Sequence, residues 1–237
     1  MQEYLLLISQ NEATHAQTTA AQRAALMEAR AGFRKRLEAA GAFADAERLR
    51  PSREGKKVSR TKTGPLVEDG PFAVDGQTLA GYYFVRAADL DAAVALGKDC
   101  PLGAGETLDV RPVMGAHMQP DKTSKPGRVF AFAVLGQADT EEAWVHLMDR
   151  IEADTKDGFP HESFEGGLRL EAPSAGRRIS RKGDVPMVSD GPFLESKEVI
   201  GGMFFVRLPS LDEAARWACD TAFLRHGSLE IREVWRG

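Results

Sequence analysis

The sequence predicts an α+β fold built from two near-copies of one unit. Three observations carry this: a long in-register repeat, two helical spacings in each copy, and apolar strands that do not alternate. Val67-Glu68-Asp69-Gly70-Pro71-Phe72 returns as Val188-Ser189-Asp190-Gly191-Pro192-Phe193, an offset of 121 residues (69 to 190). The same offset relates Ser59-Arg60 to Ser180-Arg181, Gly81 to Gly202, Phe84-Val85-Arg86 to Phe205-Val206-Arg207 and Arg111 to Arg232. Chance does not hold register over that length. Near the starts of the copies, Tyr4 to Thr14 matches Phe130 to Thr140 at an offset of 126, so the second copy is a net five residues shorter in its first helical region. The copies are placed at residues 1–114 and 128–237, with the polar, turn-forming stretch 115–127 as linker.

Each copy reads as strand, long helix, a group of short strands, second helix and last strand. In the first copy Thr19-x-x-Gln22 has the form of a capping box, and Leu26, Ala29, Phe33, Leu37 and Ala40 recur at helical spacing before Gly41. The second copy has Asp139-x-x-Glu142 and then Trp144, Leu147 and Ile151, with Gly158 as the stop. The second helices open at Asp89 and at Ser210, the latter with Glu213 three residues on. The last strands alternate: Leu108 and Val110, or Leu229 and Ile231, face one way, and Asp109 and Arg111, or Glu230 and Arg232, the other. By contrast Tyr4-Leu5-Leu6-Leu7-Ile8 and Met203-Phe204-Phe205-Val206 are apolar at successive positions, which requires cover on both faces. Two helices per copy cover one face only. The expected solution is therefore a sandwich with the two sheets inward and four helices outside.

With 43% hydrophobic and 28% charged residues the chain falls in the globular range, which excludes disordered, collagen-like and disulfide-scaffold classes. The apolar run Tyr4 to Ile8 is too short for a signal or a membrane span, so a soluble cytoplasmic protein is expected. A net charge of -4 gives no field that would draw nucleic acid, and direct nucleic-acid binding is not expected. The two cysteines, Cys100 and Cys219, and the histidines at 15, 117, 146, 161 and 226 have no metal-type spacing, so no zinc site is expected. No phosphate loop, serine elbow or zincin motif is present.

The Val-x-Asp-Gly-Pro-Phe segment, the Gly-Tyr-Tyr-Phe-Val or Gly-x-Phe-Phe-Val strand, the Leu-Asp-(Glu/Ala)-Ala helix start and the closing Val110-Arg111-Pro112-Val113 or Ile231-Arg232-Glu233-Val234 resemble the YCII-related family, specifically its DGPF-domain branch. The resemblance spans nearly both copies. It implies ferredoxin-like α+β repeats that pair as a dimeric α/β barrel, here within one chain. It also implies chemistry using a His and an Asp, isomerase-like or dehydrochlorinase-like in some relatives, and for others an association with sigma factors. The Asp carries over to Asp69 and Asp190. The His has no counterpart between Thr19 and Gly41; His146 in the second copy resembles its helical placement. Glu195-Ser196-Lys197-Glu198 follows the family pattern after the motif, whereas Val74-Asp75-Gly76-Gln77 departs from it, which points to the second copy for any chemistry.

Two readings stand beside each other at every candidate. Asp69 and Asp190 are turn residues, with Gly70 and Gly191 permitting positive φ, or they are general bases. His146 is a helix-surface residue or the acid/base partner of Asp190. Arg86, Arg111, Arg207 and Arg232, with Lys197, bind an anionic substrate, or the strand arginines pair with acids such as Asp109 and Glu230. Tyr82-Tyr83-Phe84 and Phe204-Phe205 belong to the core in preference to a base-stacking platform. Cys219 lies near an apolar stripe, and Cys100, before Pro101 at a helix end, is open to exposure. The first functional expectation is acid/base catalysis on a small anionic metabolite in a cavity between the repeats, without metal or organic cofactor. The alternative is a non-catalytic ligand- or protein-binding module with a transcription-related partner.

Overall fold

The computed structural model describes residues 1–72, 77–118, 127–136, 141–155, 163–190 and 199–235. In the first repeat the elements are β1 (Gln2–Asn11), α1 (Glu12–Ala16), α2 (Ala20–Ala39), β2 (Phe43–Arg48), β3 (Lys56–Thr61), β4 (Gly64–Asp69), β5 (Gln77–Ala87), α3 (Leu90–Lys98) and β6 (Glu106–Met118). The second repeat supplies β7 (Arg128–Gly136), α4 (Glu141–Thr155), β8 (Phe164–Leu170), β9 (Arg177–Lys182), β10 (Val185–Asp190), β11 (Val199–Leu208), α5 (Leu211–Cys219) and β12 (Gly227–Glu233). This is a mixed α/β protein in which antiparallel strands dominate and helices are few. β6 continues to Met118, so the first residues of the stretch read as a linker are extended strand.

The helix ends form where local chemistry places them. Thr19 accepts from the Gln22 backbone and the Gln22 side chain accepts from the Thr19 N–H, a complete capping box. Asp89 and Ser210 cap α3 and α5 in the same position, accepting from Ala92 N and Glu213 N. Gly41, at φ 67, ends the first long helix.

The chain divides into two compact units, and neither coincides with a repeat. Unit 1 comprises Met1–Arg48, Val74–Val113 and Pro173–Phe193; unit 2 comprises Leu49–Ala73, Met114–Ala172 and Leu194–Gly237. Within unit 1 the strands lie in the order β2-β5-β1-β6-β9-β10, every neighbouring pair antiparallel. Unit 2 repeats the pattern as β8-β11-β7-β12-β3-β4. The β3–β4 hairpin of the first repeat therefore completes the second repeat's sheet, and β9–β10 completes the first's. Val58 of β3 lies opposite Leu229, and Ile179 of β9 opposite Leu108; all four are fully buried.

Each unit has its own core. In unit 1 Tyr4, Leu6, Ile8, Tyr83, Val85, Leu108, Val110 and Ile179 meet Phe33 and Leu37 of α2 and Ala93 and Val94 of α3. In unit 2 Phe130, Phe132, Phe204, Val206, Leu229 and Ile231 meet Trp144, Leu147, Met148 and Ile151 of α4 and Ala214, Ala215 and Ala218 of α5. Removing a side chain such as Phe33 from water stabilises the fold by about 1.5–3 kcal/mol. Leu5, Leu7, Ala131 and Ala133, on the opposite sheet faces, are buried as well, which accounts for the non-alternating pattern.

One cysteine departs from its sequence reading. Cys100 is 0% exposed, because the turn after α3 draws it into the unit 1 core, and burial pushes its thiol up to about 12. Cys219 is half-buried against the unit 2 core. An aromatic disulfide reagent at pH 8 is thus expected to label Cys219 first in the native protein and Cys100 only after denaturant is added. Prompt labelling of both native thiols would contradict this burial.

Candidate functional site

On the unit 1 sheet, residues alternate between the helix-covered face and its opposite. The opposite face carries a polar row: Glu47 stands across from Tyr82, Tyr82 across from Leu7, Leu7 across from Asp109, and Asp109 across from Arg178. The adjacent row runs Asp45, Phe84, Leu5, Arg111. At the left of these rows the Tyr82 hydroxyl donates to Asp45 Oδ2 at 2.9 Å, with Tyr82 3% and Asp45 4% exposed. Burial is the first cause that holds the Tyr82 phenol well above its ordinary range; the charges of Asp45 and Glu47 add to it. A buried carboxylate whose lone pair meets a phenolic O–H is a pair able to take up and return a proton.

The second repeat acts as an internal control. At the offset of 121 residues Asp45, Glu47 and Tyr82 become Gly166, Leu168 and Met203, on the same strands of an identically ordered sheet. The fold thus forms without the polar group, so folding alone does not call for it in the first repeat. The sequence carried this signal as a difference between copies, whereas motif reading attends to what the copies share.

The repeated motif residues have a different placement. Asp69 sits opposite Lys56 across the β3–β4 hairpin, with Lys56 Nζ 2.6 Å from its Oδ1, and Asp190 meets Arg177 Nε at 2.7 Å across β9–β10. Lys56 and Arg177 are themselves repeat equivalents. Both Asp side chains are 81% exposed, so each pair is a surface staple of its hairpin, worth about 0–1 kcal/mol. His146 is exposed on α4 with Glu142 Oε1 at 3.9 Å. Arg86 pairs with Glu3 at 3.3 Å near the surface. Lys197 lies outside the described residues.

The other arginines are structural in their visible contacts. Arg207 is buried in a two-pronged ion pair with Glu165, at 2.9 and 3.0 Å. Arg232 reaches Glu230 Oε1 at 2.6 Å, as the pairing reading expected, and donates from Nε to the Arg50 carbonyl at 2.6 Å. Asp109 instead takes Arg178 bidentately at 2.6 and 2.8 Å, a bond between the first repeat's last strand and the second repeat's hairpin. Arg111 is 2% exposed. A Cβ on Gly176 would stand 2.7 Å from Arg111 Cδ, and one on Gly55 2.6 Å from Arg232 Cδ. Each strand arginine thus lies across a glycine at the start of the exchanged hairpin, and that close approach explains why Arg and Gly recur together.

Among the described residues no group of three or more His, Cys, Asp or Glu is arranged to hold a metal ion. Among the described residues, likewise, no helix is long and apolar enough to cross a membrane. A family model described as a YCII-related domain matches residues 2–117 and again residues 132–236. No curated protein matches the chain.

Proposed function

The chain belongs to the YCII-related family, and on that premise we propose that it moves a proton on a small anionic, carbonyl-bearing metabolite at the Asp45–Tyr82 pair of unit 1. The observation that carries the proposal is the buried phenol–carboxylate hydrogen bond, present in one repeat and replaced by Gly166 and Met203 in the other. Asp45 accepts a proton from the carbon beside the carbonyl. Tyr82 donates its hydrogen bond to the carbonyl oxygen as negative charge develops there, and return of the proton completes an isomerisation or exchange. Arg111, in the neighbouring row, contributes the positive field for the substrate's carboxylate. The chemistry named needs neither a metal nor an organic cofactor. This reading places the reaction in the first repeat and gives Asp69 and Asp190 the task of holding the hairpins. The finer fold assignment belongs to the same proposal: the strand order β2-β5-β1-β6, with helices after the first and third of these strands in sequence, supports a ferredoxin-like repeat. The intramolecular α/β barrel rests on the family resemblance.

The test is hydrogen exchange in heavy water. With a panel of 2-oxo and 3-oxo carboxylates, proton NMR should show the wild-type protein replacing carbon-bound hydrogen beside a carbonyl faster than buffer does. Asp45→Asn should slow that exchange by about 10²-fold or more, while Asp190→Asn leaves it within about twofold of wild type, the rate cost of a surface staple worth well under 1 kcal/mol. Exchange at buffer rate across the panel, with no saturable binding, would sink the proposal.

A second reading, a protein-binding module, is favoured by one observation: Leu66 and Val67 of β4 and Val185, Met187 and Val188 of β10 are exposed on the outermost strands of the two units. On that reading, the transcription-related partner implied by the resemblance would contact these edges.

A further inference from the structure

The proposed reaction needs a grip on the substrate's carboxylate as well as on its carbonyl, and the sheet holds the two grips far apart. Asp45, Phe84, Leu5 and Arg111 stand in one row across β2, β5, β1 and β6, so three strand spacings, about 14 Å, separate Asp45 from Arg111. The side chains do not close this span. Tyr82 starts one strand nearer to Arg111, but its hydroxyl is held toward β2 by the 2.9 Å bond to Asp45. Arg111 lies over Gly176, where an added Cβ would stand 2.7 Å from its Cδ. Gly176 leads into β9, which pairs with β6 on the edge away from β1.

Between the two ends the face is apolar. Leu5 lies directly between Phe84 and Arg111, and Leu7, in the adjacent row, between Tyr82 and Asp109. Phe84, Leu5 and Leu7 are all buried. Repeat two has the same row as Gly166, Phe205, Ala131 and Arg232, with Ala133 in the place of Leu7. The aromatic ring and the arginine are kept there, but the carboxylate is absent and both leucines are alanines. The bulky aliphatic floor therefore accompanies the acid/base pair and is not a demand of the fold. A hydrocarbon laid over such a floor gains roughly fourfold in affinity for each methylene removed from water.

We propose that the metabolite is an oxo acid whose carbonyl and carboxylate stand at the two ends of an unbranched hydrocarbon segment, and that this segment lies across Phe84, Leu5 and Leu7. The inference rests on the proton-transfer reading of Asp45 and Tyr82 and narrows it. Allowing about 3 Å for the hydrogen bond at each end, the reacting carbon and the carboxylate are about 8 Å apart, or roughly five to seven carbon–carbon bonds. In 2-oxo and 3-oxo acids the two groups are adjacent or nearly so. Such acids reach the Asp45–Tyr82 pair without spanning the floor to Arg111.

The same exchange in heavy water, run on 4-oxopentanoate, 5-oxohexanoate and 7-oxooctanoate with 2-octanone as the uncharged counterpart of the longest, tests the spacer. Asp45 takes a proton from the carbon beside the carbonyl, the electron pair moves onto the carbonyl oxygen at the Tyr82 hydroxyl, and a deuteron exchanged in from solvent returns to the carbon. The half-saturation concentration should fall about tenfold or more from 4-oxopentanoate to 7-oxooctanoate. That of 2-octanone should lie at least about tenfold above that of 7-oxooctanoate. Leu5→Ala and Leu7→Ala should each flatten the series by about threefold or more. Repeat two carries alanine at both positions, so the sheet accepts the change. A half-saturation that is level or rises along the series, with exchange still above buffer, leaves the proton-transfer reading standing and overturns the spacer. So does 2-octanone matching 7-oxooctanoate, or a series equally steep in both alanine variants. The wild-type series decides alone if either variant fails to fold. Buffer-rate exchange with every ketone removes the reading at Asp45–Tyr82 and the spacer with it.

Discussion

Replacing Glu165 with leucine is expected to destabilise the protein by about 3–5 kcal/mol, the usual cost of leaving one member of a buried ion pair alone. Glu165 and Arg207 side chains are both nearly inaccessible, and the guanidinium fork meets both carboxylate oxygens, at 2.9 and 3.0 Å. Arg207 also donates to the Gly127 carbonyl at 3.4 Å. A guanidinium does not deprotonate to escape burial, so the variant must either bury a charge that has lost its carboxylate or open the strand to water. The double change Glu165→Leu with Arg207→Met removes both charges and is expected to return most of the lost stability. Urea unfolding midpoints of the two variants check this. A single variant within about 0.5 kcal/mol of wild type, or a double variant worse than the single, would show that the pair is not a buried unit. The repeat equivalent is the contrast: Arg86 reaches Glu3 at 3.3 Å in a partly exposed pair, where loss of one partner costs about 1 kcal/mol or less. The same repeated arginine therefore has two energetic meanings, decided by whether position 44 or 165, at the register shift of the adjoining strand, holds alanine or glutamate.

That contrast marks the boundary of what the sequence reveals. Helix starts at Thr19, Asp89 and Ser210 were legible because a cap is satisfied within three or four residues of itself. The pairing of Arg232 with Glu230 was legible because the two share a strand face two residues apart. The exchange of hairpins was not. Val58 and Ile179 are equivalent positions of the repeat, so a hairpin buries the same kind of side chain whichever sheet it joins, and no local pattern distinguishes the alternatives. Asp45 and Tyr82 stand 37 residues apart on neighbouring strands, and their contact exists only once the register of β2 on β5 is fixed. Asp69 and Asp190 drew attention because they recur. Each stands opposite a cation across its hairpin, Lys56 at Asp69 and Arg177 at Asp190, whereas the buried Asp45–Tyr82 pair occupies positions at which the copies differ.

Gly70→Ala tests the remaining part of the motif, and its sign separates two explanations. The sequence reading let Gly70 permit positive φ. That freedom is not what the structure uses: its φ lies outside the left-handed region, and the requirement for glycine comes from close approach. A Cβ at Gly70 would stand 1.8 Å from the Ser52 carbonyl oxygen and 2.6 Å from its carbon, both backbone atoms of a buried turn. Gly70 N is in turn held by the Gly55 carbonyl at 3.1 Å, so the strand end has no free direction in which to retreat. Were glycine present only by chance in an ordinary conformation, alanine would stabilise the protein by about 0.4–1 kcal/mol through the unfolded state. With backbone on both sides, the expected outcome is a loss of about 3 kcal/mol, at the upper end of overpacking costs. Gly32→Ala is the matched control, since its Cβ would meet only the tip of Arg36 at 3.7 Å inside α2, and it should gain up to about 1 kcal/mol. Thermal unfolding of the two variants is expected to move in opposite directions. A Gly70→Ala protein as stable as wild type would mean that the turn at Ser52 and the motif strand do not meet as closely as these distances require.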